Sequence, residues 1–161
     1  MSEQPDYRVI RESPLGQELS EEECRTLAHV MSIRQLKDGD VLVHEGEANT
    51  SMHIVTGGKL AVTTTTEAGE TVTLYVLKTG EFAGTRAFVD RTPRKATLRA
   101  VGESEVYVLD PEPFEALLGE HPHLVFGVMR AIFRTVHNTL MRIDMENAQL
   151  LNYINKQHGR Y

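Results

Sequence analysis

The stretch that decides the fold is residues 80–97, GEFAGTRAFVDRTPRKAT. It opens with two glycines, Gly80 and Gly84, and a short stretch of helical character follows. Pro93 and Arg94 then lead into residues typical of a new strand. A glycine-led loop that enters a helical turn presents free backbone N–H groups and the positive end of the helix dipole. Because a guanidinium follows closely, the pattern favours an anion site, most simply one for a phosphate group.

The charge of this segment is opposite to that of the whole chain. Between Thr85 and Arg99 there are five Lys or Arg residues and one acid, Asp90, a local net charge of +4. The 161-residue chain has 17 basic and 23 acidic residues and a formal net charge of −6, which leaves −10 for the remainder. This balance argues against a broadly basic nucleic-acid-binding domain. It leaves either a compact site for a small anion or a solvated basic loop.

The surrounding sequence predicts a mainly β fold with flanking helices. From residue 32 to residue 110, glycines separate short runs rich in Val, Ile, Thr and Leu, several of which alternate apolar and polar residues. Such runs are typical of half-buried strands. Many short strands with tight turns indicate a β-roll, jelly roll or barrel. The predicted strands are residues 41–44, 52–55, 60–66, 71–77 and 105–109.

The chain divides into three predicted segments: helical residues 1–31, a β-roll over 32–110, and helical residues 111–161. In the last segment a short helix over 114–118 precedes a long helix from Pro122 to about residue 157. A helix of about 35 residues is about 50 Å long. That is longer than a domain of this size needs to cover its own core.

The long helix carries apolar residues at the a and d positions of a coiled coil. Asn147 stands at an a position, where a buried Asn favours a parallel two-stranded register. Up to Val136 the stripe could instead pack on the protein's own β-domain; beyond it we predict a homodimer. The predicted interface is Phe133, Val136, Leu140, Ile143, Asn147, Leu150 and Ile154.

Other classes of function find little support. Cys24 is the only cysteine, so no intramolecular disulfide or thiolate zinc cluster can form. The start, MSEQPDYRVI, shows no basic region followed by an apolar stretch, so we expect no secretory signal. No run approaches the ~18 apolar residues of a membrane span. We therefore expect a cytoplasmic protein without membrane contact, required cofactor, metal or enzymatic activity. A cupin-type metal site around His44, Glu45 and His53 is the alternative.

Five short motifs occur in order along the chain. They are LKDGDVL at 36–42, EGE at 45–47, MHIVTGGKL at 52–60, GEFAG at 80–84 and PRKAT at 93–97. Together with the long helix they resemble the cyclic-nucleotide-binding domain of the catabolite activator protein (CRP/FNR-like) superfamily. The resemblance implies a β-roll whose residues 80–97 form the phosphate-binding cassette. It implies a ligand such as cAMP or cGMP.

Transferred residue by residue, the resemblance assigns roles to the cassette. Gly84 would let the backbone approach the ribose, and Arg94 would pair with the cyclic phosphate, for which a guanidinium fork is suited. The backbone N–H groups of Arg86 and Ala87 would complete the phosphate cradle. Thr139, on the long helix, matches a position that can hydrogen-bond the base.

Two cassette residues depart from the family pattern. Thr85 replaces the usual glutamate that holds the ribose 2′-hydroxyl, and its neutral hydroxyl contributes about 1 kcal/mol or less. Lys95 replaces a small residue and adds positive charge. Three outcomes stay open: weak binding of a cyclic mononucleotide, binding of a more highly charged ligand, or a degenerate domain that serves as a dimeric protein-interaction scaffold.

The chain stops at Tyr161, directly after the long helix, where relatives continue into a helix-turn-helix. We therefore expect no direct DNA binding. A full-length protein would signal to an effector protein, whereas a fragment would have lost its effector domain. The sequence predicts a stand-alone sensor domain that binds a cyclic nucleotide and signals through its dimerising helix.

Overall fold

The computed structural model describes residues 4–157 and contains a six-stranded antiparallel sheet with helices before and after it. This confirms the predicted mainly β fold with flanking helices. Residues 1–3 and 158–161 of the two predicted helical segments lie outside the described residues. The helices are α1 (Tyr7–Glu12), α2 (Glu21–Val30), α3 (Thr85–Asp90), α4 (Pro111–Glu115) and α5 (Pro122–Gln157), with 3-10 turns at Pro14–Gln17 and Ala116–Leu118. The strands are β1 (Met31–Leu36), β2 (Val41–Val43), β3 (Met52–Thr65), β4 (Thr71–Leu77), β5 (Phe82–Ala83) and β6 (Thr97–Leu109).

Two long strands, β3 and β6, form the centre of the sheet. They pair with each other, β1 and β2 pair with β6, and β4 and β5 pair with β3. The register between β3 and β6 shifts at Gly57. Gly58 has a φ of +73°, and a Cβ there would clash, because it would lie 2.4 Å from the backbone oxygen of Glu103. Such irregularities bend a strand without ending it.

These glycines correct two predicted boundaries. Separate strands over 52–55 and 60–66 were wrong, because the glycines form a bulge inside β3 and not a turn. The strand predicted over 105–109 is only the end of β6, which begins at Thr97, where a new strand was expected after Arg94, and continues through Gly102. The predicted helix over 114–118 begins earlier, at Pro111, since proline suits the first helical turn.

Two apolar clusters stabilise the fold and meet at the cassette. The first joins the helices to one end of the roll, where Leu27 of α2 and Leu124 of α5 belong to one cluster with Met52 of β3. The second cluster fills the roll itself. The two residues of β5 divide between them, because Phe82 belongs to the first cluster and Ala83 to the second. The start of the cassette is therefore fixed between both cores.

Helix α5 has two different faces along its first turns. Leu124, Val128 and Ile132 are buried in the chain's own core, whereas Phe126 and Phe133 are 59% and 75% exposed. The a and d stripe before Val136 thus does not pack on the β-domain, and that alternative was wrong. None of the helices within residues 4–157 combines the length and apolar character that a membrane span requires.

Candidate functional site

The cassette is fixed by backbone hydrogen bonds at both ends. At its start, the N–H of Gly80 donates to the carbonyl oxygen of Val55 at 2.8 Å. Near its end, the N–H of Arg94 donates to the carbonyl of Glu47 at 3.0 Å, and the N–H of Gly46 donates to the carbonyl of Arg94 at 2.8 Å. The arginine backbone is therefore held by the loop between β2 and β3.

Gly84 lies at the turn from β5 into α3, with a φ of +76°. A Cβ at this position would lie 2.0 Å from Nη1 of Arg94 and 2.9 Å from the carbonyl oxygen of Ser51. Glycine is required here both for the left-handed backbone and for the close approach of the guanidinium. The contact with Arg94 is additional to the ribose contact predicted for Gly84.

The N-terminus of α3 leaves backbone donors beside this turn. The first bond of the helix runs from the N–H of Phe88 to the carbonyl of Gly84 at 3.1 Å. The N–H groups of Thr85, Arg86 and Ala87 precede it, and Gly84 has no side chain that could cap them. Such a helix start favours an anion through its dipole.

Arg94 is the central side chain of the site and is 6% exposed. Its Nη2 donates to Oδ1 of Asn49 at 2.6 Å and to the carbonyl oxygen of Ser51, both neutral acceptors. Among residues 4–157, Nε and Nη1 of Arg94 have no hydrogen-bond partner. Burial lowers the pKa of Arg94, and the charge of Glu47 opposes that shift. A buried guanidinium without a carboxylate partner is costly unless an anion binds it.

Arg94 lines a cavity of about 250 Å³ between the cassette and the β-roll. The structure brings six of the predicted ligand-binding residues to this one cavity, and apolar side chains with Tyr75 form the opposite wall. The six residues are Gly84, Thr85, Arg86, Ala87, Arg94 and Lys95.

Thr139 does not line this cavity. Its hydroxyl donates to Oε2 of Glu81 at 2.8 Å, and Nη2 of Arg142 lies 3.2 Å from the same oxygen. Glu81 belongs to the cassette, so these two α5 residues bind the cassette directly. Burial raises the pKa of Tyr75, the nearby Glu81 charge raises it further, and Arg142 opposes the shift. We call the contact of Glu81 with Thr139 and Arg142 the α5 latch.

Sequence reasoning missed several residues of the site. Asn49 and Ser51 follow the EGE motif in a polar loop, and no spacing marks them as partners of a distant arginine. Tyr75 lies on β4, and the sequence pattern of that strand does not show which of its two faces lines the cavity. Glu81 stands in the GEFAG motif, directly after Gly80, and this position was the one sign in the sequence that it belongs to the site.

The metal alternative gains no geometric support. Within residues 4–157, no group of three or more His, Cys, Asp or Glu side chains is placed to hold a metal ion. Glu45 accepts hydrogen bonds from Thr64 and Thr65. Burial lowers the pKa of His53 to about 3, and the charges of Arg94 and Arg34 contribute.

Comparison with known proteins agrees with this geometry. The family model described as cyclic nucleotide-binding domain matches residues 33–121, more than half of the chain. The chain belongs to the cyclic nucleotide-binding domain family. Its fold is similar to a cyclic nucleotide-binding domain from Methylobacillus flagellatus, with a TM-score of 0.78, 20% identity, and coverage of 85% of this chain and 79% of that one. It is also similar to the N-terminal domain of a transcriptional regulator from Streptomyces coelicolor, with a TM-score of 0.70, 30% identity, and coverage of 84% and 94%.

The curated relatives are larger proteins. A cAMP-dependent protein kinase regulatory subunit from Yarrowia lipolytica is 31% identical over 110 residues, which are 68% of this cyclic nucleotide-binding domain and 28% of that protein. The cyclic AMP receptor protein of Thermus thermophilus is 24% identical over 136 residues, 84% of this chain and 63% of that one. The chain thus spans between about a quarter and two thirds of these relatives. The family is one of regulatory ligand-binding domains.

Asn49→Asp tests the unpaired state of Arg94. The new carboxylate would replace a neutral acceptor by a charged one, so we expect the free energy of unfolding to rise by about 1 kcal/mol. Thermal and urea unfolding measure the change. Asn152→Asp, at an exposed position of α5, is the matched control and should not stabilise the domain. If Asn49→Asp lowered the free energy of unfolding and Asn152→Asp did not, the interpretation that Arg94 lacks a charged partner would be contradicted.

Proposed function

We propose that this domain binds a cyclic mononucleotide, cAMP or cGMP, in the cassette cavity and signals through a homodimer interface on α5. One observation carries the proposal: Arg94 is buried, has two nitrogens without partners, and lines a cavity. The kinase regulatory subunits and the receptor protein are named for cAMP as the ligand of those relatives. Family membership makes the same ligand class the first candidate here.

The cavity has the groups that a cyclic phosphate requires. Nε and Nη1 of Arg94 would donate two charge-assisted hydrogen bonds to phosphate oxygens. The N–H groups of Arg86 and Ala87 at the start of α3 would bind the same anion. The wall formed by Val62, Tyr75 and other apolar residues offers a surface for the base. Thr139 would reach the base only if the α5 latch opened.

The cassette contacts the C-terminal helices at two places. Phe88 of α3 packs on Phe114 of α4, with ring centroids 5.4 Å apart, and Arg91 forms an ion pair with Glu115 at 2.6 Å. The α5 latch is the second contact. A nucleotide that is anchored by Arg94 and draws the cassette toward the β-roll would therefore act on α4 and α5 together. A ligand shifts such an equilibrium only by its difference in affinity for the two states.

The homodimer is supported by exposed apolar residues at heptad spacing. Phe133, Val136, Leu140, Leu150 and Ile154 are each at least 39% exposed in the single chain. Together with Ile143 and Asn147 they follow the a and d positions. Contiguous exposed apolar surface of this kind marks an interaction site. An effector protein that recognises the dimer would receive the signal.

A second candidate function is a dimeric scaffold that does not bind nucleotide. Thr85, where the family carries a glutamate, favours it, since the ribose then lacks a charged partner. The two functions differ in ligand binding, and the following experiment separates them.

Isothermal titration with cAMP, cGMP and cyclic dinucleotides tests ligand binding. We expect saturable binding of a cyclic mononucleotide, and Arg94→Ala should weaken it about 30-fold or more, because it removes the charged partner of a buried phosphate. Arg8→Ala makes the same charge change at an exposed site and should leave affinity unchanged. Flat titrations across the panel would favour the scaffold, and undiminished binding in Arg94→Ala would exclude this site.

Arg142→Ala tests the coupling of the cavity to α5. If α5 moves away from the cassette when the nucleotide binds, loss of the ion pair with Glu81 makes that movement easier. The affinity for cAMP should then rise about fivefold, although Arg142 does not line the cavity. Arg134→Ala, on the same helix but paired with Glu18, is the control. Equal affinities of wild type and Arg142→Ala would show that the latch does not report on the ligand.

Leu140→Lys tests the homodimer. Burial of one leucine contributes about 2 kcal/mol, so the charged variant should dissociate at concentrations where the wild type is a dimer. Sedimentation velocity over a concentration series measures this. Met145→Lys changes an exposed residue at heptad position f and should remain dimeric. A wild type that sediments as a monomer at high concentration would remove the dimer from the proposal.

A further inference from the structure

The cassette cavity holds positive charge without negative charge. Among residues 4–157, those that line it include Arg86, Arg94 and Lys95 and no Asp or Glu. Two acids lie near these cations without lining the cavity. Oδ2 of Asp90 lies 4.0 Å from Nε of Arg86, and both side chains are largely exposed. Glu47, whose charge acts on Arg94, accepts a backbone N–H of its own loop at 3.2 Å. The cavity is therefore built to attract an anion and offers no charged acceptor.

The side-chain acceptors in this cavity are neutral hydroxyl groups. Thr85, Thr92 and Tyr75 line it, and Oγ1 of Thr92 is buried without a partner among the described residues. When a ligand hydroxyl donates to such a group, its hydrogen bond to water is replaced by a hydrogen bond to a neutral hydroxyl of the protein. Bonds to ionised acceptors are roughly twice as strong as neutral ones. The net gain from a ribose hydroxyl here is therefore small.

The position of the sugar follows from the phosphate. In a 3′,5′-cyclic nucleotide the phosphate ring is fused to the ribose, so a phosphate held by Arg94 also places the 2′-hydroxyl close to the cassette. Gly84 lies against the guanidinium of Arg94. Thr85 is the next residue, is half-buried and lines the cavity. Of the two cassette threonines that line the cavity, it is the one that directly follows the glycine against the guanidinium.

We propose, on the basis of the function proposed above, that this site recognises its ligand through the phosphate and does not require the ribose 2′-hydroxyl. Its ligand class is then 3′,5′-cyclic nucleotides of either sugar, ribose or 2′-deoxyribose. Arg86 and Lys95 add attraction for the phosphate that is independent of the sugar. Thr85 is the specificity-determining residue, because a carboxylate at its position would offer the 2′-hydroxyl an ionised acceptor in place of a neutral one.

Titration calorimetry of the full chain with cAMP and with 2′-deoxy-cAMP, at one fixed salt concentration, tests the proposal. We expect the two dissociation constants of the wild type to agree within about threefold. Thr85→Glu should favour cAMP by about tenfold or more, which corresponds to about 1.4 kcal/mol. Thr71→Glu, at an exposed position of β4 outside the cavity, is the matched control and should keep the wild-type ratio.

The outcomes separate this proposal from the function on which it rests. Binding of cAMP with 2′-deoxy-cAMP tenfold weaker or worse in the wild type overturns the sugar tolerance alone. Flat titrations with both nucleotides overturn the proposed function and this proposal together. The wild-type comparison decides even if Thr85→Glu fails to fold, which a thermal melt would show. A folded Thr85→Glu with the wild-type ratio would remove Thr85 as the specificity-determining residue.

Discussion

The structure around the cassette depends on one buried charge, that of Arg94, whose hydrogen-bond partners among the described residues are all neutral. Placing a guanidinium away from water is costly, and neutral acceptors recover only part of its hydration. Arg94 nevertheless has an amide oxygen and a carbonyl oxygen as its partners, while Nε and Nη1 stay unpaired among the described residues. The domain can keep such a charge because backbone bonds to Glu47 and Gly46 fix its position. The unfavourable energy of the unpaired charge is available to an anion that binds.

The same constraint explains the backbone of the cassette. The guanidinium occupies the space where a side chain at position 84 would begin, so the chain must turn there without a Cβ. That turn starts α3 abruptly and leaves its first N–H groups uncapped beside the arginine. Two independent sources of positive potential, a formal charge and a helix start, thus meet at one cavity. Phe82 and Ala83 hold the turn rigid, since each is buried in a different core.

Local features could be predicted from the sequence, whereas long-range contacts could not. The six cavity residues at 84–87 and 94–95 belong to one continuous segment, so a motif was enough to group them. Tyr75 reaches the cavity from β4, and Asn49 reaches the Arg94 guanidinium from the loop between β2 and β3. Their positions therefore depend on strand register and on the path of that loop. The glycines at 57–58 and 102 carry the same signal for a turn as for a bulge, and only pairing with the neighbouring strand decides between them. Thr139 was expected at the base, but the rotation of α5 about its axis decides which group its hydroxyl contacts, and in the structure that group is Glu81.

Helix α5 is held differently along its length, and this difference bears on how a signal would leave the domain. Its first turns are fixed by burial of Leu124 and Val128, and Gly127 packs so closely that a Cβ would lie 2.8 Å from Leu19. The α5 latch then holds the helix at Thr139 and Arg142. Beyond Arg142, residues up to 156 are exposed or half-buried, and a second helix is the partner their spacing suits. A change at Glu81 would therefore act on α5 between Val136 and Ile143, within the stretch that carries the proposed dimer interface. In the proposed homodimer, a displacement of the cassette would thus reach the interface through Thr139 and Arg142.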